Sequence, residues 1–212
     1  MVVILDRWAG LHATPFTAAA RPVGEQLLAR YGEPHRRYHD GRHLREVLDA
    51  VDLLAHHARD VDAVRLAAWL HDAVYDPTAA AGANESASAD LAAALLPPLG
   101  HPAARVALVV RLVLLTASHD PTADDLDGQV LCDADLRVLA ASPARYAQYA
   151  ADVRAEYAHV PDAPFAAGRT QVLGRLPARP RLFATATAFE LWEAPARANV
   201  GAELSRLRPQ RR

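Results

Sequence analysis

The chain has 212 residues, 51% of them hydrophobic, which is enough to bury a core without cross-links. Its formal net charge of −2 argues against a general binder of nucleic-acid polymers or of membrane surfaces. Cys132 is the only cysteine, so the chain cannot build a disulfide framework, and a reducing, cytoplasmic environment is expected.

The predicted secondary structure is helical throughout. The N-terminal stretch MVVILDRWAG has no basic region and no long apolar core, so no targeting peptide is predicted. Downstream, apolar residues recur at helical spacing and strand-like alternation is almost absent. Roughly eight helices are predicted, over about 41–58, 61–72, 85–96, 101–116, 128–140, 143–158, 164–176 and 182–207. The longest apolar run, VALVVRLVLL, contains Arg111 and is too short to span a membrane.

Some helix ends carry their own signals. Asn84 is the expected N-cap of the helix that begins with ESASADL, and Glu85 lies in its electropositive first turn. Pro97 and Pro98 end that helix, because the residue before a proline disfavours helical geometry.

No internal repeat or low-complexity block divides the chain. We therefore expect a single all-α domain over 1–212, with a core at about 30–160 and C-terminal helices at about 164–207. Pro195 falls inside the last helix and predicts either a kink there or two abutting helices.

The dipeptide His71–Asp72 suggests a metal site but does not establish one. His–Asp occurs at three places in the chain, beginning at residues 39, 71 and 119. His71 and Asp72 differ from the others in ending an apolar helix, where an unpaired buried carboxylate would cost several kcal/mol. Either a cation compensates this charge, or Asp72 faces water at the helix end while His71 packs in the core.

Two further features favour the cation. His39 and His43 lie four residues apart at a helix start, which places both imidazoles on one face, and His43 shares the inward stripe of Val47. Two more acids, Asp133 and Asp135, are embedded in the apolar stretch LCDADLRVL. Imidazoles and carboxylates together suit a divalent ion such as Zn²⁺, Mn²⁺, Fe²⁺ or Mg²⁺.

These residues resemble the HD superfamily of metal-dependent phosphohydrolases, whose signature is H…HD…D on a helical bundle. The resemblance implies an HD-domain-like bundle with His43, His71, Asp72 and Asp135 as metal ligands. The segment CDADL is similar to the ADL or ADR segment that carries the last aspartate of such proteins, which favours Asp135 over Asp133.

A second resemblance concerns the first histidine pair. YHDGRHLREV is similar to the YHNxxHxxxV segment of cyclic-nucleotide phosphodiesterases, where the second histidine binds metal and the first is the general acid. It implies that His43 is a ligand and His39 the acid. The alternative for His39 is a residue that only holds a ligand in place.

From about residue 30 to residue 205 the chain is similar to a bacterial group of HD phosphohydrolases. The shared segments are EPHRRYH, AAWLHDAVYDP, NESASA, DADLRVL, RAEY, GR and EAPARANVGAEL. The resemblance implies hydrolysis of a small phosphorylated substrate, with a nucleotide as the leading candidate, by a metal-activated water. Asp72 is also expected to be catalytic, because a carboxylate has two oxygens and can bridge two ions.

Other residues have two interpretations each. Glu85 could orient a metal-bound water or only stabilise the helix dipole. His119 could contact phosphate or a second metal, or simply lie exposed in a loop. Arg37, Arg154 and Arg169 could clamp phosphate through paired hydrogen bonds, although most arginines in a chain with 23 of them lie on the surface or in salt bridges.

The expected cofactor is one or two divalent ions, of Mn, Mg, Co, Ni, Zn or Fe. The expected partner is a small phosphorylated molecule rather than a nucleic-acid polymer or a membrane, and a homodimer is compatible with the sequence. One alternative is a catalytically weak nucleotide-binding or regulatory module, which would not need all four ligands. Another is a di-iron oxygenase on the same scaffold, which would need more inward histidines, with only His119 and His101 as candidates.

Overall fold

All regular secondary structure in the computed structural model is helical, which confirms the all-α prediction. The structure describes residues 2–176 and 178–207, with the backbone alone at residues 2 and 3, and contains ten α-helices there and no strand. In chain order they are α1 (Val2–Ala9), α2 (Thr17–Tyr31), α3 (Gly41–Leu54), α4 (Val61–Leu70), α5 (Ala83–Leu95), α6 (Ala103–Leu115), α7 (Leu126–Leu136), α8 (Pro143–Glu156), α9 (Asp162–Gly174) and α10 (Ala186–Leu207). Short 3₁₀ turns follow α3, α5 and α7, at Ala55–His57, Pro97–Leu99 and Arg137–Ala140.

The central helix of the bundle is α4, which contacts α3, α5, α6 and α7. Seven of its ten residues are buried, including Trp69 and Leu70, and a helix that is apolar on nearly all sides belongs in a core. Its C-terminal end, where His71 follows Leu70, is therefore inside the molecule. No helix in the described ranges combines the length and apolar character needed to cross a membrane.

Aspartate caps fix the N-termini of the three helices that matter for the site. Asp40 accepts hydrogen bonds from two backbone N–H groups of α3, Asp60 from one of α4 and Asp125 from one of α7. These bonds satisfy donors that have no partner within the helix. The residue at which each helix starts is therefore set locally.

Helices α1 and α2 are absent from the sequence-based prediction. The buried positions of α2 are Ala20, Gly24, Leu27 and Tyr31, which have helical spacing, but two of them are too small to register as an apolar stripe. The missing side chain at Gly24 is required by packing, because a Cβ there would lie 2.5 Å from the nearest atom of Trp8.

Two details of the helix ends differ from the prediction. Helix α5 begins at Ala83 with Gly82 as its N-cap, and Asn84 is not the cap because its amide pairs with the backbone N–H and C=O of Asp76. The second case is α10, which is one continuous helix through Pro195, so of the two predicted alternatives the pair of abutting helices is wrong. Pro195 lies on the exposed side of α10, where water can satisfy the carbonyl that loses its partner.

Candidate metal centre and active site

Four predicted ligands lie where three helices meet. His43 is in the first turn of α3, and its backbone N–H is one of the two groups capped by Asp40. His71 and Asp72 directly follow α4, and Asp135 lies in the last turn of α7. Both imidazoles are almost fully buried, whereas the carboxylates of Asp72 and Asp135 remain 16% and 13% exposed.

The polar atoms of these side chains converge. His43 Nε2 lies 3.2 Å from His71 Nε2, 3.3 Å from Asp72 Oδ2 and 3.2 Å from Asp135 Oδ1. His71 Nε2 lies 3.0 Å from Asp72 Oδ2 and 3.6 Å from Asp135 Oδ1. The ligand atoms of His43, His71 and Asp72 all lie within 4.8 Å of one another, so this group could hold a metal ion.

The spacing suits one shared ion. Zinc bonds to imidazole nitrogen and carboxylate oxygen are about 2.0–2.2 Å long, so two ligands of one ion lie about 3.0–3.5 Å apart. The measured separations, from 3.0 to 3.6 Å, fall in or next to that range. Four such ligands would fill a tetrahedral ion, whereas an octahedral ion such as Mn²⁺ or Mg²⁺ would keep two positions for water or substrate.

The tautomer of His71 is set for metal binding. Its Nδ1 lies 2.9 Å from the backbone oxygen of Ala68, and a carbonyl can only accept, so Nδ1 carries the proton. In the neutral ring Nε2 is then unprotonated and presents its lone pair to the cluster. Metal-binding histidines commonly have such a hydrogen bond on the second nitrogen.

The electrostatics of the cluster favour a bound cation. Burial opposes the charged imidazolium of His43, but the hydrogen bonds and charges of Asp135 and Asp72 outweigh it and raise its pKa to about 9. The pKa of His71 is raised for the same reason. Burial alone would raise the pKa values of both aspartates, yet the nearby histidines, His71 foremost, hold them well below the usual range. Two ionised carboxylates thus require two positive charges, from two protons or from one divalent ion.

His119 also reaches the cluster. Its Nε2 lies 2.7 Å from Asp135 Oδ2, the oxygen that does not face His43. The backbone at His119 has φ of +48°, a region that side chains other than glycine rarely adopt. Arg179 holds this loop by donating to the backbone oxygens of Ser118 and His119. The loop is therefore fixed against the cluster.

His39 is oriented by Glu156, a residue that sequence analysis did not single out. Glu156 Oε2 lies 2.7 Å from His39 Nδ1 and accepts a hydrogen bond from the Tyr75 hydroxyl. Its other oxygen accepts from the backbone N–H groups of residues 37–39. Burial would raise the pKa of Glu156, but His39 and these N–H groups lower it to about 2. The only earlier signal was its place in the segment RAEY.

The arginine whose hydrogen bonds hold the backbone around the cluster is Arg36, the neighbour of the predicted Arg37. Its buried guanidinium donates to the backbone oxygens of His39, Asp72 and Ala73, which ties the segment before α3 to the segment after α4. Arg37 is exposed, and only its backbone N–H is bonded, to Glu156. The side chain of Arg37 has no hydrogen bond to any other described residue.

Three other predicted residues lie outside the cluster. Glu85 is partly exposed in the first turn of α5 and makes no side-chain hydrogen bond to the rest of the described chain. Arg154 bonds to Asp162 and to two backbone oxygens of the loop after α8. Arg169 pairs with Glu203 through two nitrogens, and so its charge is already compensated.

Asp133 and Asp135 face in different directions. Two residues along a helix correspond to a rotation of about 200°, and Asp133 accordingly accepts hydrogen bonds from Ala184 N, Thr185 N and the Thr185 hydroxyl. Burial raises the pKa of Asp133 to about 6, although these donors oppose the shift. Asp133 joins α7 to the segment before α10, and only Asp135 contacts the two buried histidines.

Two cavities border the cluster. One, of about 270 Å³, is lined by His43 and Asp135 together with Arg137 and Arg145. Arg145 is paired with Glu46, and its buried Nη1 has no hydrogen-bond partner among the described residues.

The second cavity, which we call the cluster cavity, has a volume of about 340 Å³ and is lined by Asp135, His39, His119, Arg175 and Arg179. Among the described residues, the side chain of Arg179 bonds only to the backbone oxygens of Ser118 and His119. Arg175 is exposed and has no ion pair or hydrogen bond with any described residue. Two arginine charges thus line this cavity without a carboxylate partner in the described part of the chain.

Comparison with known proteins identifies no relative: no protein-family profile, no curated protein and no solved structure matches the chain. The likeness to the HD superfamily stays a prediction from the sequence. Functional inference therefore depends on the residues and their geometry.

Proposed function

We propose that this protein is a metal-dependent phosphohydrolase that acts on a small phosphorylated substrate. The observation that carries the proposal is the convergence of His43, His71, Asp72 and Asp135 beside the cluster cavity. A buried cation site next to a cavity whose arginines Arg175 and Arg179 have no carboxylate partner in the described part of the chain is suited to phosphate chemistry.

His43, His71, Asp72 and Asp135 would hold a divalent ion, which when bound supplies a water of lowered pKa and positive charge against phosphoryl oxygens. The chain prepares this site in two ways. The hydrogen bond to Ala68 keeps His71 Nε2 free to bind. The arginine Arg36 fixes the backbone at Asp72 relative to the backbone at His39.

His39 is the candidate general acid. Its Nδ1 is bonded to Glu156, so Nε2 is the atom that can hold a proton for a leaving oxygen. The carboxylate of Glu156 fixes the orientation of the ring, as a carboxylate does for a catalytic histidine in other enzymes. His39 also lines the cluster cavity, where the leaving group would lie.

The arginines of the cluster cavity are the candidate phosphate ligands. Arg175 and Arg179 lack carboxylate partners among the described residues, so their charge is available to an anion. Guanidinium groups bind phosphate through paired hydrogen bonds. Among the predicted arginines, Arg169 also lines the cavity, but its pairing with Glu203 makes it a wall residue.

The decisive experiment measures metal and phosphate together. Protein purified without chelator should contain a divalent ion by mass spectrometry. Chelator-treated protein should release phosphate from at least one phosphomonoester only after Mn²⁺, Co²⁺, Mg²⁺, Ni²⁺ or Zn²⁺ is restored. A bound ion without phosphate release from any ester would refute the proposed phosphohydrolase activity and favour a nucleotide-binding module.

Two variants separate the roles of the histidines and aspartates. Asp72→Ala should lose metal and phosphate release together, since it removes a ligand. His39→Ala should retain the metal but lose about 10²–10⁴-fold in kcat, the usual contribution of a general acid. His56→Ala is the control, because His56 is exposed and bonds only to Thr187. Metal loss in His39→Ala would mean that His39, not His43, is the ligand.

One observation favours a second candidate. The contact of His119 with Asp135 supplies one additional histidine of the kind that a di-iron oxygenase needs, whereas His101 lies against His12 and away from the cluster. Oxygen consumption by iron-loaded protein with an alcohol or diol, without phosphate release, would select that function.

A further inference from the structure

The hydroxyl of one buried tyrosine, Tyr38, has no partner in the described part of the chain. The hydroxyls of Tyr31, Tyr75 and Tyr146 each donate to an oxygen of another residue, at distances of 2.6–3.1 Å. A buried tyrosine hydroxyl usually has such a partner. Tyr38 is only 5% exposed, yet its hydroxyl makes no hydrogen bond to any described residue. This polar group is therefore available to something outside the chain.

The hydroxyl of Tyr38 is not sealed in the core. Among the described residues, the unpartnered polar side-chain atoms that are cut off from solvent belong to His12, Trp69 and Arg145. The open space beside Tyr38 is the cluster cavity, which it lines together with Asp135, and a neighbouring cavity of about 450 Å³ between α8 and α9. The unpaired hydroxyl thus belongs to a wall residue of the proposed active site.

Packing and one backbone hydrogen bond hold Tyr38 in place. Its ring lies 4.7 Å from the ring of His43, 4.8 Å from that of His39 and 4.6 Å from that of Tyr149. Its backbone N–H donates to Glu156. Because a closely packed ring has few alternative positions, the hydroxyl is presented at a fixed place beside a predicted metal ligand and the candidate acid.

A phenol hydroxyl in this cavity suits a phosphoryl oxygen. It keeps its proton at neutral pH, so it can donate a hydrogen bond without adding charge. Hydrogen bonds to a charged oxygen are stronger than those between neutral groups. Arg175 and Arg179, which line the same cavity without carboxylate partners among the described residues, favour an anionic occupant.

We propose that the hydroxyl of Tyr38 donates a hydrogen bond to a phosphoryl oxygen of the substrate. The inference rests on the proposed function, to which it adds a substrate-binding residue that is neither a metal ligand nor the general acid. It also separates ligand binding from stability. An unpartnered hydroxyl does not stabilise the fold, so its removal should weaken phosphate binding without weakening the protein.

Tyr38→Phe and Tyr146→Phe form a matched pair, because each removes one hydroxyl from a buried ring. Tyr146 lines neither cavity, and its hydroxyl bonds to Glu203. The Tm of Tyr38→Phe should equal or exceed that of the wild type, whereas Tyr146→Phe should melt at least about 2 °C lower because it loses a hydrogen bond to a carboxylate. If Tyr38→Phe loses as much Tm as Tyr146→Phe, the hydroxyl of Tyr38 supports the fold and the proposal is wrong.

Binding of inorganic phosphate tests the contact without catalysis. Phosphate is titrated calorimetrically into protein that has been loaded with Mn²⁺ and freed of excess ion. The wild type and Tyr146→Phe should bind phosphate with equal Kd, and Tyr38→Phe should bind it about tenfold more weakly at unchanged metal content. Equal Kd in the wild type and Tyr38→Phe, or no phosphate binding by the wild type, would refute the contact.

Kinetics distinguish failure of this inference from failure of the proposed function. For any phosphomonoester that the wild type hydrolyses, kcat/KM should fall about tenfold in Tyr38→Phe. Hydrolysis with unchanged kcat/KM in Tyr38→Phe would overturn the role of Tyr38 and leave the phosphohydrolase intact. Weaker phosphate binding in Tyr38→Phe, with no ester hydrolysed by the wild type, would do the reverse.

Discussion

Two histidines near the cluster are each held by a hydrogen bond on Nδ1, which leaves Nε2 for the proposed role of the ring. His71 donates through Nδ1 to Ala68 O, and His39 is bonded through Nδ1 to Glu156. The partner differs in kind: a backbone carbonyl keeps His71 a lone-pair donor, whereas a carboxylate holds the ring of His39 in one orientation. The same side chain is thereby prepared for two different roles.

The acceptor that Glu156 offers to His39 can be tested separately from its contacts with the backbone. Glu156→Gln keeps an amide oxygen for the backbone N–H groups of residues 37–39 but places an amide nitrogen, which cannot accept, opposite His39 Nδ1. We expect kcat to fall at least about tenfold with KM and metal content nearly unchanged, because His39 loses the acceptor that fixes its ring.

Tyr75→Phe is the control for that change, because it removes a hydrogen bond to the same carboxylate oxygen and keeps the ring stacked 4.2 Å from His39. It should alter kcat much less. Similar losses of kcat in both variants, or a loss of metal in Glu156→Gln, would reduce Glu156 to a structural role.

Helix α7 carries two aspartates with different contacts. Asp133 binds the segment before α10, whereas Asp135 lies in the cluster. Asp133→Ala leaves the N–H groups of Ala184 and Thr185 and the Thr185 hydroxyl without their acceptor. We expect it to lower the free energy of unfolding by about 2 kcal/mol or more while metal content stays normal. Asp135→Ala should lose the metal. Chemical denaturation with metal analysis checks both, and metal loss in Asp133→Ala would reverse the assignment.

The junction of α1 and α2 with the start of α6 should be acid-sensitive. His12 is 5% exposed, its Nδ1 lies 2.9 Å from His101 Nε2, and its own Nε2 has no hydrogen-bond partner among the described residues. Burial, and then the charge of His101, lowers the pKa of His12 from 6.5 to about 4. Since the unfolded chain binds the proton more tightly, stability falls as pH falls from about 6.5 toward 4.

Between pH 7.5 and pH 5 this histidine should contribute a loss of about 2 kcal/mol in the free energy of unfolding. His12→Gln keeps a hydrogen-bonding group but cannot titrate, so its stability should change correspondingly less over the same range. Urea denaturation at both pH values measures the difference. If the free energy of unfolding depends on pH identically in the variant and the wild type, His12 is not a source of the acid sensitivity.

At the scale of the whole molecule, the cluster joins α3, α4 and α7, and α4 is the central helix of the bundle. An ion that binds only the folded chain stabilises it by RT ln(1 + [L]/Kd), about 2.7 kcal/mol at a hundredfold excess over Kd. For a chain of this size we expect Tm to rise by about 5–10 °C on adding metal to chelator-treated protein, in one cooperative transition. Calorimetry of Asp72→Ala is the control, and an equal rise in that variant would place the ion elsewhere.

The sequence by itself determined the helical class and most helices after residue 41, because apolar periodicity is a local property of the chain. It also indicated His43, His71 and Asp72, since polar groups at inward helix positions stand out in the sequence itself, but it left Asp133 and Asp135 as alternatives between which only the family resemblance chose. Pattern alone did not reveal α2, whose buried face uses small residues such as Ala20 and Gly24.

Only the tertiary structure decided which groups act together. The pairing of His39 with Glu156 joins residues 117 positions apart, and Arg36 reaches Asp72 over 36 positions. Whether Asp133 or Asp135 faces the histidines depends on how α7 is rotated against α3 and α4. That rotation is set by packing of the whole core, and a local pattern carries no information about contacts between distant segments.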